Sequence, residues 1–301
     1  MKNAAILALL SCAMALTTAA YSQTWVSNTG SDSNPCTMAA PCKTFAHAVS
    51  VTPAWGQLSV LNAGDYGPVT ITQSIRIDGG GLASISVTSG NAILVNLPAG
   101  DVVQLHNLSL HGSSSATYGI DFGGAGGLDI DNLQITGFDE GIGAFPSSTS
   151  ELNLVIKDTT IENISSIGIY IRGTSTTTLA SAEIVNTHVR FTNTGIEAID
   201  ASISVLNSTI ASPVAGSAPV SSGDGIYADN TNVYLDNSQI NGYGYGLAAY
   251  GAGHVQVNRS SFINNSYAVV SGTAIVSNGS NTSFNNTYNT SNPPTTPADT
   301  W

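Results

Sequence analysis

Positive charge is scarce in this chain. Seven Lys and Arg stand against 19 Asp and Glu in 301 residues, only 9% of residues are charged, and the net charge is −12. A nucleic-acid partner is excluded on that ground, because phosphates need a basic footprint. The same field repels a strongly anionic polysaccharide unless calcium or a local basic patch intervenes. Cysteine is nearly absent, at three residues, and aromatics make up 7%. No apolar run is long enough to span a bilayer and stay there. Long stretches of 3.6-residue periodicity are missing too, which removes helical bundles and helix-covered sheets from consideration.

What the chain has is a beat. From about Leu128 to Val269 two short phrases alternate. One is a strand ending in Asn or Asp, followed two residues later by an aliphatic: LDIDNLQI, LVIKDTTI, AEIVNTHV, ISVLNSTI, VYLDNSQI. Setting these in register places Leu110, Ile135, Ile161, Val189, Ile210, Ile240, Phe262 and Phe284 in one column, at steps of 25, 26, 28, 21, 30, 22 and 22 residues. The other phrase is Gly-Ile or a relative, and it gives a second column of Ile120, Ile142, Ile169, Ile196, Ile226, Leu247 and Val269. Repeats of this length without helices are stacked strands. Each strand alternates apolar and polar residues, so it buries one face only. Coiling the chain solves this, since inward residues then pack across the coil. The expected fold is all-β, a single-stranded right-handed parallel β-helix of about 8–10 coils, its hand following the general crossover rule. Asn107, Asn132, Asp158, Asn186, Asn207 and Asn237 read as a polar ladder at a turn, because Asn tolerates the backbone angles found there. Asn281 continues the ladder and Arg259 interrupts it.

The ends differ in character. Residues 1–22 read as a signal peptide, with Lys2, an apolar run from Ala4 to Leu16 and small residues before position 22. Cys12 offers a lipoprotein alternative, which the apolar residues continuing past it disfavour. The mature protein is expected in the periplasm, at the cell surface or in the medium. Residues 23–57 read as an N-terminal cap, needed because an end coil otherwise exposes core. Within it Phe45, Ala48 and Val49 lie at helical spacing. Cys36 and Cys42, six apart in an exported chain, are expected to form a disulfide that closes a small loop. Asp32 reads as a turn residue, with calcium as the other possibility. The β-helix is expected over 58–285 and a Pro-containing tail over 286–301. An uncovered last coil would offer strand edges to a second chain, and the oligomeric state is left open.

The entry stretch TWVSNTGSDSNPCTMAAPCKTFAHAV, residues 24–49, resembles the start of secreted bacterial right-handed parallel β-helix repeat proteins. It is similar, more loosely, to the start of some pectate-lyase-like enzymes. GDYGPVTITQSIRIDGGG, residues 64–81, looks like the same group's first coil. This resemblance covers most of the mature chain and implies the fold and export. It carries no activity with it.

Chemistry must come from outward residues. Reading outward from the Gly-Ile strands places Tyr170, Arg172, Glu197, Tyr227, Asp229 and Tyr250 on one face within four successive coils. Flat aromatic faces beside charged acceptors suit sugar rings and hydroxyls. The bland alternative is a solvated face, with Arg172 and Glu197 a surface pair worth under about 1 kcal/mol. Glu197 and Asp229, one coil and two residues apart, are the candidate catalytic acids, at a spacing compatible with an inverting pair about 6.5–9.5 Å apart. A lyase needs a base together with calcium or Arg to neutralise a uronate, and Lys43, Arg76, Lys157, Arg172, Arg190 and Arg259 form no such cluster in sequence. His47, His106, His111, His188 and His254 are scattered, so no metal site is expected; calcium on the acidic faces stays open. The insertion SPVAGSAPVSSGD between Ile210 and Ile226 is either the wall of a binding cleft or a loop without a function. Two functions follow. The favoured one is a non-catalytic exported solenoid that binds an extracellular polysaccharide or cell-envelope glycan; the other is a polysaccharide lyase or glycoside hydrolase.

Overall fold

The structure is a computed structural model that describes residues 22–146, 151–174, 180–212, 223–273 and 275–290. It is a right-handed parallel β-helix of about 8 turns. Every pairing between its strands is parallel, and the strands fall into one sheet of nineteen and one of ten. A representative coil runs through a long strand, Leu152–Lys157, a short strand, Thr160–Glu162, and a strand of the ten-stranded sheet, Ile167–Arg172. Long strands stack on long, and short on short, so the nineteen-stranded sheet contains two ladders that meet at a turn.

The turn has a simple cause. Asn107, Asn132, Asp158, Asn186, Asn207 and Asn237 all adopt left-handed backbone, with φ between 47° and 57°, which Asn and Asp tolerate best among residues with a side chain. Their side chains bond along the stack: Asn132 Nδ2 donates to Asn107 Oδ1 at 2.7 Å, Asn237 Nδ2 to Asn207 Oδ1 at 2.8 Å, and Asn186 to Asp158. Arg259 keeps the same backbone (φ 45°) and replaces the amide bond with a fork onto Asp236, its Nε at 2.9 Å. In the last coil the ladder position falls on Ser280 (φ 63°), not on Asn281. Asn281 is instead buried, donating to Val257 O at 3.0 Å.

The residue after each ladder member points inward. In the early coils it is Leu108 and Leu133; from the fifth coil on it is Thr159, Thr187, Ser208, Ser238 and Ser260, none more than 4% exposed. Each hydroxyl donates to the carbonyl two residues back, at 2.7–3.0 Å. Four of them also accept the backbone N–H of the preceding coil's member: Leu133 N to Thr159 Oγ1, Thr187 N to Ser208 Oγ, Ser208 N to Ser238 Oγ and Ser238 N to Ser260 Oγ, at 3.1–3.3 Å. Buried polar atoms are thereby paired.

Both apolar columns are present in the register. Ile120, Ile142, Ile169, Ile196, Ile226, Leu247 and Val269 pair in succession and are fully buried. The other column runs from Leu110 to Phe262 as expected. It ends there: Phe262 pairs with Ser283, while Phe284 sits one residue on, opposite Ile263, and is 66% exposed. The glycine before each column member has its own reason. A Cβ on Gly195 would lie 2.5 Å from Gly225 O and 2.3 Å from Ile210 Cγ2, and neighbouring coils repeat that approach.

Residues 23–57 contribute a strand as well as a helix. Gln23–Val26 pairs in register with Gly56–Val60. The helix α1, Phe45–Val51, is capped by Thr44, whose hydroxyl accepts from His47 N, and it buries Phe45, Ala48 and Val49. Asp32 anchors its entry by accepting from Lys43 N, Thr44 N and Thr44 Oγ1 at 2.9–3.0 Å. Cys36 and Cys42 form the expected disulfide. Among the described residues no helix is long and apolar enough to cross a membrane.

Candidate functional site

The outer face of the ten-stranded sheet brings the six expected residues together. Tyr170 stands opposite Glu197, which stands opposite Tyr227; in the next outward column Arg172 is followed by Ile199, Asp229 and Tyr250. Successive members sit one strand spacing apart, about 4.8 Å. Their rings form two platforms. Tyr118, Phe145 and Tyr170 pack edge to face at centroid distances of 5.9 and 5.0 Å, and Tyr227 and Tyr250 pair at 5.8 Å with a 43° tilt. Glu197 occupies the rung between them. No ion pair within 4.0 Å joins Arg172 to Glu197, so the surface-pair alternative has no direct contact behind it.

More acids share this face than sequence alternation gives. Strict alternation from each column Ile would send the preceding Gly outward and the residue before it inward. In fact Gly and Ile are both buried, as at Gly225–Ile226, which turns the residue before Gly outward. Tyr118, Glu140, Asp224 and Tyr245 therefore join the face. The signal was the x-Gly-Ile phrase itself: a Gly whose absent side chain admits a neighbouring carbonyl must point at the core.

The electrostatics follow from crowding. Burial raises the Asp224 carboxyl to about 6, and the nearby Glu197 charge adds to the rise. Glu197 itself is raised by burial, with Arg172 pulling the other way. Glu140 is raised by burial and by Asp139, Glu197 and Asp121, against a hydrogen bond from Tyr118. Asp121 is raised by burial although Asn91 Nδ2 donates to it at 2.8 Å. Burial and then neighbouring carboxylates raise the Tyr227 hydroxyl. One oxygen each of Glu140 and Asp224 is buried without a hydrogen-bond partner. Chemically, this is a shallow aromatic strip bearing acceptors, one of which holds its proton toward neutral pH.

Among the described residues, one group of three His, Cys, Asp or Glu has ligand atoms within 4.8 Å of one another: Cys36, Cys42 and His47. Its sulfurs are tied up in the disulfide, whereas the thiolate is the form that binds metal. The long insertion lies largely at 213–222, outside the described residues.

Fold and face together define a right-handed parallel β-helix with an acidic, aromatic outer strip. No protein-family model matches the sequence, and no curated protein does. Among solved structures, pectate lyase Pel9A superposes with a TM-score of 0.62 at 13% identity, over 93% of this chain and 82% of that one. A GH136 lacto-N-biosidase from Eubacterium ramulus gives a TM-score of 0.46 at 11% identity, over 86% of this chain and 62% of that one. At such identity the pectate lyase likeness speaks for the fold.

Proposed function

We propose that the protein is an exported, non-catalytic β-helix that binds an extracellular or cell-envelope glycan along the outer face of its ten-stranded sheet. The observation that carries this reading is the row Tyr170–Glu197–Tyr227 with Asp229 and Tyr250 beside it. Aromatic faces stack on sugar rings, and the carboxylates between them accept from hydroxyls. Export is supported by the leader-like residues 1–22 and by the disulfide, a bond that persists in oxidising compartments. The net charge of −12 favours a neutral or weakly charged glycan. Binding of the Tyr170→Ala, Tyr227→Ala, Tyr250→Ala triple variant to a glycan array should fall to background, and undiminished binding refutes the reading.

One observation favours a second reading, glycoside hydrolysis. Asp224, with a pKa of about 6 beside Glu197, has the character of a general acid poised near neutral pH. In that case Glu197 or Asp229 is its partner. Reducing-end release across a panel of neutral polysaccharides, lost in Asp224→Asn and Glu197→Gln, would establish catalysis. An ultraviolet assay for unsaturated uronate covers the lyase alternative.

A further inference from the structure

A second concave site lies on a different face, outside the long-strand ladder near its N-terminal end. Gln57, Arg76 and Gln104 occupy successive rungs there. Together with Trp55, Ile75 and Val102 they line a cavity of about 460 Å³. Trp55 is 57% exposed, so the core does not require its ring. Its backbone is nevertheless held in the left-handed region, φ 65°, by a 2.7 Å bond from its N–H to Ser74 O. A bulky residue in that conformation is strained, and such strain concentrates at binding sites.

The polar groups of the cavity are incompletely used. Arg76 Nε is buried with no hydrogen-bond partner, and its Nη2 makes only a 3.6 Å contact to Asp78. Gln57 Nε2 donates to Ser59 Oγ at 3.1 Å and Gln104 Nε2 reaches Asp129 at 3.5 Å. The side-chain Oε1 of Gln57 and that of Gln104 accept no hydrogen bond from a described side chain. Donors and acceptors thus alternate along about two strand spacings, roughly 10 Å, beside an exposed indole. Asp78 and Asp129 offset the guanidinium charge, so the cavity offers no excess of positive charge to an anion.

We propose that this cavity is a separate carbohydrate subsite, holding a neutral pyranose ring against Trp55 with its hydroxyls bonded to Gln57, Arg76 and Gln104. It stands independently of the tyrosine strip. Two subsites on different faces would let one molecule bridge polymer chains or gain avidity on a long one.

The chain has three tryptophans, so indole-labelled protein gives few N–H signals, and Trp55→Phe assigns the one from Trp55. Cello-, manno-, galacto- and xylo-tetrasaccharides are titrated, with oligoglucuronate and a sulfated tetrasaccharide as charged counterparts. At least one neutral series should move the Trp55 signal saturably. Arg76→Gln should weaken that binding about tenfold or more, a decade in Kd, while Tyr227→Ala with Tyr250→Ala leaves it unchanged. Trp55→Phe, which keeps a ring, should bind within a few-fold by calorimetry, and Trp55→Ala should not bind at this site. The proposal is overturned if no neutral series moves the Trp55 signal, if only charged sugars do, if Arg76→Gln binds like wild type, or if the tyrosine variant abolishes the effect.

Discussion

Asp224 should weaken the fold it sits in, and removing its charge should strengthen the protein. The carboxyl rises from an ordinary 3.8 to about 6 on folding, burial being the main cause and Glu197 the second. An acid whose pKa is higher folded than unfolded costs nothing when both states are protonated. Its cost grows as pH climbs from about 4 to about 6, then stays constant above that. The full rise corresponds to about 3 kcal/mol at 1.36 kcal/mol per pH unit. Asp224 is only partly enclosed, and screening by water lowers the expected cost to about 1–2 kcal/mol. Asp224→Asn keeps the shape and removes the charge. Urea unfolding followed by circular dichroism should therefore show the variant about 1–2 kcal/mol more stable at pH 8, with the gain shrinking to nearly nothing at pH 4. Glu197→Gln should reduce the gain, because it removes the second cause. A variant less stable than wild type at pH 8, or a difference that ignores pH, would refute the reasoning.

Three further outcomes test the architecture. Ser238→Ala leaves the buried Ser208 N–H without its 3.1 Å acceptor and should cost about 2–3 kcal/mol in urea unfolding, whereas Ser204→Ala in the half-buried outward position should stay within about 0.5 kcal/mol. Asn207 holds φ 52°, so Asn207→Ala should cost about 1–2 kcal/mol, and Asn207→Gly distinctly less by the same measurement, because only the ladder bond is lost. Gly195→Ala places a methyl 2.5 Å from Gly225 O; overpacking against backbone should cost at least about 3 kcal/mol, seen as a lower thermal midpoint or as loss of soluble protein.

The fold was legible because stacking repeats one requirement at every coil. The column from Ile120 to Val269 holds without a slip. The other column failed at Phe284, in the last of the described coils, where Ser283 takes the register position and the exposed Phe284 sits one residue on, free of any demand for a buried aliphatic. Asn281 was misplaced by one residue in the same coil: Ser280 takes the left-handed ladder backbone, and Asn281, the residue after it, turns inward and donates to Val257 O. The buried hydroxyl column was hidden by chemistry: Thr159, Thr187 and Ser208 look like outward polar residues. The left-handed residue before each one swings it inward instead, and the Leu at the equivalent place in Leu108 and Leu133 was the available clue. Tyr170, Glu197, Tyr227, Asp229 and Tyr250 were placed correctly by plain alternation. Glu140 and Asp224 were not, since two consecutive inward residues at Gly-Ile break the period of two.

That division has a physical origin which bears on binding versus catalysis. The coil uses inward positions and turn residues to specify itself, and leaves outward positions nearly unconstrained, so a face can gain or lose chemistry without altering the fold. An outward residue that only binds can be kept cheaply in water, as exposed Tyr250 is. An outward acid buried enough to be raised to about 6 lowers stability, and its buried Oδ1 has no hydrogen-bond partner to offset that cost. Stability lost at a position the fold leaves free makes Asp224 a candidate functional group. Asp224, rather than Asp229, is therefore the residue on which the two readings part: if Asp224→Asn strengthens the protein and glycan binding survives with no hydrolysis to lose, the strip binds; if a polysaccharide is cut by wild type and spared by the variant, the strip is an active site.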